Sequence, residues 1–104
     1  KEIINKGGEK ISPLEVDNVL MDHPLIDQAV CFGYEDKMLG ENIASAIIIK
    51  SGEICSENDV LEYAKEKLAK FKIPKKIFFV EEIPKGATGK LQRNVLAKKF
   101  GLNN

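Results

Sequence analysis

The fold is decided over residues 6–16, KGGEKISPLEV, where a turn between two strands is followed at once by a helix start. The stretches on either side of the turn, 2–5 and 9–11, predict a short β-hairpin, because the paired residues Gly7 and Gly8 tolerate the positive φ that a tight turn needs. The sequence therefore predicts a hairpin whose second strand leads directly into a helix.

The first helix is predicted to begin at Ser12. This residue can cap the helix, Pro13 suits the first helical position, and Glu15 completes the pattern of a capping box. The helix is predicted to end at His23-Pro24, because a residue before proline avoids the α region. His23 is accordingly predicted to be a capping or surface group rather than a ligand.

The rest of the chain alternates strands and helices without a long linker. In order, it predicts strands at 26–32 and 43–49 with a loop at 33–41 between them, a helix that Ser56 caps, a strand at 76–80, a loop at 84–89 and a helix at 91–100. This order is typical of a small mixed α+β domain with an N-terminal β-hairpin, a small sheet and about three helices.

Length and composition favour one soluble domain over residues 1–104, with 43% apolar and 31% charged residues. The sequence has no apolar run of the roughly 18 residues that span a bilayer. Cys31 and Cys55 are too few for a disulfide framework, and with one histidine they predict no metal site and a reducing cytoplasm. The chain opens without methionine, so we expect it to be a piece of a longer protein.

The charge is balanced overall and unevenly distributed. Residues 1–62 hold 13 acidic and 5 basic side chains, whereas residues 63–104 hold 3 acidic and 11 basic ones. A basic end indicates an anionic ligand, a nucleic acid or an acidic partner surface. A solvated, lysine-rich helix face explains the same pattern at least as well.

The chemically most informative stretch is residues 84–93, PKGATGKLQR. Its glycines predict a mobile or tightly turned loop, and Thr88 or Gly89 could cap the following helix. Lys90 would then lie in the first helical turn, where the helix dipole disfavours a cation by about 0.3–1 kcal/mol. A lysine placed against its local preference is a candidate for contacting a phosphate or carboxylate. A merely exposed lysine is equally compatible with these residues alone.

This stretch is similar to two glycine-containing motifs, the phosphate-binding P-loop and the GxxG loop of nucleic-acid-binding domains. A P-loop needs four residues between its glycines and Ser or Thr after the lysine. Only two residues separate Gly86 from Gly89, and Leu91 follows Lys90, so the P-loop pattern fails. The GATG sequence at 86–89 does match the GxxG of RNA-binding KH domains, although a KH loop joins two helices. A basic nucleic-acid-binding module therefore remains an alternative.

Several segments, in order, resemble the superfamily of acyl-CoA synthetases, luciferases and peptide-synthetase adenylation domains. These segments are residues 1–16, His23-Pro24, Gly33 with Gly40-Glu41, residues 68–74 (LAKFKIP) and residues 84–93. The match spans essentially the whole chain. It looks most like the oxalate- and coumarate-CoA ligase-like group.

The resemblance implies the C-terminal lid domain of an ATP-dependent acyl-CoA synthetase, whose large N-terminal domain binds ATP and the carboxylate. Such an enzyme forms acyl-AMP and pyrophosphate; the lid then rotates, and acyl-CoA and AMP form. ATP and CoA would be substrates of the parent enzyme, with Mg²⁺ accompanying ATP in the large domain and no cofactor held by this domain alone. The expected partner is the N-terminal domain of the same polypeptide, with no nucleic acid and no membrane span.

The resemblance also implies roles for individual residues. Lys90 falls on the lysine that reaches the carboxylate and the AMP phosphate during adenylation, and Lys1 falls on the hinge. The CoA and pantetheine tunnel would involve Lys6, Gly7, Gly8 and Lys72. Support of the loop would come from Gly86, Thr88 and Gly89.

Two positions depart from the family pattern. Gly86 stands where threonine is usual, and Asn5 stands where some relatives carry a lysine that contacts AMP. The isolated fragment is expected to be inactive, because the nucleotide and acyl pockets would lie in the other domain. An adenylation domain that loads a carrier protein instead of CoA is a further alternative.

Overall fold

A long antiparallel hairpin forms the centre of the computed structural model, which describes residues 2–85, 89 and 91–103. The elements, in chain order, are β1 (Ile4–Lys6), β2 (Glu9–Ile11), α1 (Pro13–Met21), β3 (Ile26–Asp36), β4 (Gly40–Ile49), α2 (Glu57–Lys67), a 3-10 turn (Lys70–Lys72), β5 (Lys76–Phe79), a second 3-10 turn (Arg93–Val95) and α3 (Leu96–Lys99). The described residues contain no helix long and apolar enough to cross a membrane.

The described strands form one sheet in the order β2-β1-β4-β3, and β5 lies parallel to β4 while the other pairs are antiparallel. The strands β3 and β4 pair from Ile26 with Ile49 to Asp36 with Gly40. The predicted α+β domain with an N-terminal hairpin, a small sheet and three helices is confirmed in the described chain.

The predicted loop at 33–41 is wrong, because both central strands continue through it. Residues 37–39 alone connect them, and the Asp36 carboxylate accepts the backbone N–H groups of Met38 and Leu39, each at 2.9 Å. These bonds hold the pKa of Asp36 below its ordinary value of 3.8. Ladder pairing with the opposite strand therefore overrides the turn-like local composition.

The third helix is much shorter than the predicted 91–100. Gln92 has an extended backbone, with φ −130° and ψ 107°, and helical structure begins only at Arg93. The end of the helix before Gly101 is as predicted, with Gly101 at φ +76°. Because Leu91 and Gln92 are not helical, Gly89 does not cap α3; the predicted helical position of Lys90 lies outside the described residues.

The predicted cap of α2 is confirmed, and the predicted cap of α1 is wrong. Ser12 makes no side-chain capping bond, so the capping box predicted with Glu15 is wrong. At α2 the box is complete: Ser56 Oγ accepts from the Asp59 N–H at 3.0 Å, and Asp59 Oδ2 accepts from the Ser56 N–H at 3.1 Å. His23 Nδ1 accepts from the Leu25 N–H at 3.1 Å after α1 ends, as expected of a local capping group.

The capping box of Asp59 makes the free energy of unfolding depend on pH in the acidic range. Its hydrogen bonds lower the pKa of Asp59 from 3.8, so its contribution is fully present above that pH and is lost as the pH falls through the lowered pKa. Asparagine cannot ionise, so we expect Asp59→Asn to lose less stability than the parent chain between about pH 5 and pH 2, as measured by urea unfolding at each pH. Equal pH slopes in the variant and the parent chain would contradict this assignment.

Alternation along β3 and β4 gives the sheet two buried faces. The helix face, covered by α1 and α2, includes Ile4, Ile11, Val16, Leu20, Cys31, Ile43, Ile47, Val60 and Ala64. The C-terminal face, covered by residues after β5, includes Val30, Phe32, Tyr34, Ala44, Ala46, Ile83, Leu96 and Ala97. Cys31 is 0% exposed and is a small core residue of the helix face, and burial raises the pKa of its thiol.

Candidate functional site

Four of the predicted site residues, Lys1, Gly86, Thr88 and Lys90, lie outside the described residues, and their roles stay predictions. Gly89 is described: it is exposed, and its φ of +80° lies in the region that favours glycine.

The turn between β1 and β2 is the predicted tight turn, with φ of +59° at Gly7 and +92° at Gly8. The Gly7 N–H donates to the carbonyl of Leu39 at 2.8 Å, so this turn lies against the turn of the central hairpin. A Cβ at Gly7 would lie 3.0 Å from Leu39 Cδ2, whereas one at Gly8 would meet nothing within 4 Å. Gly7 is therefore required for both conformation and close approach, and Gly8 for conformation alone.

The two lysines predicted beside the tunnel lie at the 3-10 turn Lys70–Lys72. Lys72 is part of this turn, and Lys6 contacts it from β1. Lys6 Nζ donates to the carbonyl of Phe71 at 3.1 Å. Lys72 Nζ lies 3.0 and 3.1 Å from the two carboxylate oxygens of Glu15 on α1. The structure thus ties both ammonium groups to neighbouring elements. Because Glu15 is half-exposed, its ion pair with Lys72 contributes little to the stability of the fold, and an anionic ligand could displace Glu15 from Lys72.

A contact between Glu41 and Asn5, with Gly33 beneath it, was not predicted from the sequence. Glu41 Oε1 accepts the backbone N–H of Asn5 at 2.8 Å. The carboxylate reaches β1 by passing over Gly33, where a Cβ would lie 2.8 Å from Glu41 Oε2. Gly33 and Gly40-Glu41 both belong to the segments that carry the family resemblance, and their spacing is the sequence signal for this contact.

Arg93, inside the chemically informative stretch, is fixed to the outer edge of β3. Its Nη1 lies 2.6 Å from Asp17 Oδ2 and 3.1 Å from the carbonyl of Cys31, while Asp17 Oδ1 accepts the Cys31 N–H at 2.6 Å. Its Nε also contacts Glu2 Oε1 at 3.2 Å. These side chains occupy backbone groups that a neighbouring strand would otherwise bond.

Asp17 is the buried member of this network. Burial raises its pKa, and the hydrogen bonds from Cys31 and Arg93 oppose that shift. Its place between the core residues Val16 and Leu20 was the sequence signal for a buried, paired carboxylate. The network attaches Arg93, three residues after Lys90 in the chain, to α1 and to the outer edge of β3.

A cavity of about 280 Å³ lies beside the Glu41–Asn5 contact and the Arg93 network. It is lined in part by Glu2, Gly33, Glu41, Arg93 and Asn103. Its opposed charges are already paired with one another or with backbone. Among residues 2–85, 89 and 91–103, no group of three His, Cys, Asp or Glu residues could hold a metal ion.

A family model described as the AMP-binding enzyme C-terminal domain matches residues 15–90. The chain is 50% identical over 100 residues to an oxalate–CoA ligase of Saccharomyces cerevisiae, which covers 96% of this chain and 18% of that protein. It is 42% identical over 95 residues to a 2-succinylbenzoate–CoA ligase of Bacillus cereus, covering 91% of this chain and 19% of the relative.

Solved structures give the same result. A fatty acyl-CoA synthetase of Mycobacterium tuberculosis superposes with a TM-score of 0.84 at 32% identity, over 98% of this chain and 20% of that one. The o-succinylbenzoate-CoA synthetase of Bacillus subtilis, bound to a product analogue, gives 0.81 at 39% identity over 90% of this chain and 19% of that one. The chain thus spans about a fifth of the length of these proteins.

Proposed function

The chain belongs to the AMP-binding enzyme C-terminal domain family, and we propose that its parent protein is an ATP-dependent acyl-CoA synthetase in which residues 1–104 are the C-terminal lid. The observation that carries the proposal is the family match over residues 15–90, which includes Lys90. The relatives quoted above are CoA ligases, which favours this function over an RNA-binding module or a carrier-loading domain.

In the proposed reaction, the carboxylate attacks the α-phosphorus of ATP and releases pyrophosphate, and the thiol of CoA then attacks the acyl carbonyl and releases AMP. Lys90 would neutralise charge on the carboxylate and phosphate in the first step. An N-terminal domain of the same polypeptide would supply the nucleotide and acyl pockets, and Mg²⁺ would enter with ATP. A cytoplasmic location is part of the same proposal.

The lid requires two different surfaces. Lys90 serves adenylation, whereas the Gly7–Gly8 turn, with Lys6 and Lys72, would line the pantetheine tunnel during thioester formation. The turn suits a thin ligand arm because it offers backbone without side chains. Rotation about Lys1 would exchange the two surfaces, so that one small domain serves both steps.

The test uses the full-length protein with ATP, Mg²⁺, CoA and a panel of carboxylic acids that begins with oxalate and 2-succinylbenzoate. We expect an acid-dependent release of pyrophosphate, with one AMP formed for each CoA thiol consumed. Thiol consumption is measured separately from nucleotide products.

Other outcomes would favour the alternatives. Pyrophosphate release without thiol loss, together with acylation of a phosphopantetheinyl carrier protein, would show a carrier-loading enzyme. The absence of any acid-dependent nucleotide product, with RNA binding that weakens steeply as salt rises, would overturn the proposal in favour of the basic module.

A further inference from the structure

We infer that Glu41 is a positioning residue for thioester formation, because its carboxylate holds the Gly7–Gly8 turn in place through the backbone of β1. The inference rests on the proposed function and adds to it a residue that would contact neither CoA nor the acyl group.

The turn has little strand pairing of its own to fix it against the central hairpin. Within the described chain, the ladder between β1 and β4 has one register pair, Lys6 with Gly40. One residue earlier on β1, the Asn5 N–H meets the Glu41 carboxylate at 2.8 Å in place of a backbone carbonyl. The side chain of Glu41 thus extends the attachment of β1 beyond the end of the ladder.

The same strand residue passes the constraint to the turn. Asn5 Oδ1 accepts the N–H of Gly8 at 3.1 Å, while the Gly7 N–H donates to the Leu39 carbonyl at 2.8 Å. The turn is therefore held on one side by the central hairpin and on the other through Asn5. Loss of the Glu41 contact would leave Asn5, and with it the Gly8 side of the turn, free to shift.

Gly33 provides the space that this contact needs. An added Cβ would lie 2.8 Å from Glu41 Oε2 and 3.3 Å from Ile4 Cγ1, closer than a side chain can be accommodated without movement. Gly33 is not among the glycines with positive φ, so space rather than backbone conformation requires glycine here. A methyl group at this position would displace the carboxylate from Asn5.

The test is Glu41→Ala in the full-length enzyme, with the two half-reactions measured separately. We expect the KM for CoA to rise about tenfold, the scale set by losing a hydrogen bond to a charged group, with the adenylation rate unchanged. Glu41→Gln, whose amide oxygen can accept the same N–H, should restore most of the loss. Gly33→Ala should raise the KM for CoA as well, and combining it with Glu41→Ala should add little.

Glu35→Ala is the matched control, because Glu35 is the exposed register partner of Glu41 across the central hairpin. It should leave both half-reactions near wild type. An unchanged KM for CoA in Glu41→Ala would overturn the inference, and so would an equal loss in both half-reactions, which a general structural defect would cause. Failure of the wild-type enzyme to form any thioester would instead overturn the proposed function and, with it, this inference.

Discussion

Replacing Lys90 with alanine in the full-length enzyme is expected to slow adenylate formation by about 100- to 1,000-fold, the usual effect of removing one preorganised group that stabilises developing charge. Thioester formation from preformed acyl-AMP and CoA should stay near the wild-type rate, because the lid would then present the Gly7–Gly8 turn. Pyrophosphate release reports the first step, and loss of the CoA thiol reports the second.

Lys85 provides the control for this substitution. It is an exposed lysine five residues before Lys90 in the same stretch, so Lys85→Ala removes a similar charge from the same segment. Its effect on either step should be less than about threefold, as for most exposed substitutions. If Lys90→Ala behaves like Lys85→Ala, then Lys90 is a surface residue and the proposed mechanism fails at its central step.

The features that the sequence predicted correctly depend on neighbouring residues. The Gly7–Gly8 turn needs only a local backbone conformation, and the predicted Ser56 cap bonds Asp59 within four residues. Such signals survive because tertiary contacts seldom have to compete with them.

The features that the sequence did not reveal depend on residues far apart in the chain. The polar residues Glu35, Asp36 and Glu41 lie in the central strands because each has a register partner on the opposite strand. Glu41 meets Asn5 over 36 residues, and Arg93 meets Asp17 over 76. A pattern in one stretch does not encode the position of its partner, so these contacts required the fold. The same reason explains the short α3, since Gln92 is extended just before Arg93 reaches the sheet.

Asp17→Ala is expected to lower the free energy of unfolding more than any other single polar substitution proposed for this chain. It would leave the Arg93 guanidinium, whose side chain is 15% exposed, without its closest partner, and would leave the buried Cys31 N–H without an acceptor. Breaking a buried ion pair from one side costs about 3–5 kcal/mol, and the remaining contact of Arg93 with Glu2 places the expectation near the lower limit. Urea unfolding of the 104-residue chain measures the loss, which is a large part of the 5–15 kcal/mol typical of a domain.

Glu15→Ala is the control on the same helix, because Glu15 also pairs with a cation but is half-exposed, and its loss should cost less than about 1 kcal/mol. Adding Arg93→Met to Asp17→Ala removes the orphaned charge, so the double variant should be more stable than the sum of the two single losses predicts. If Asp17→Ala and Glu15→Ala destabilise the chain equally, the Arg93 network does not anchor the segment after Lys90. The stretch that carries the proposed catalytic lysine would then be anchored by its flanking residues Ile83 and Leu96, which are buried on the C-terminal face of the sheet.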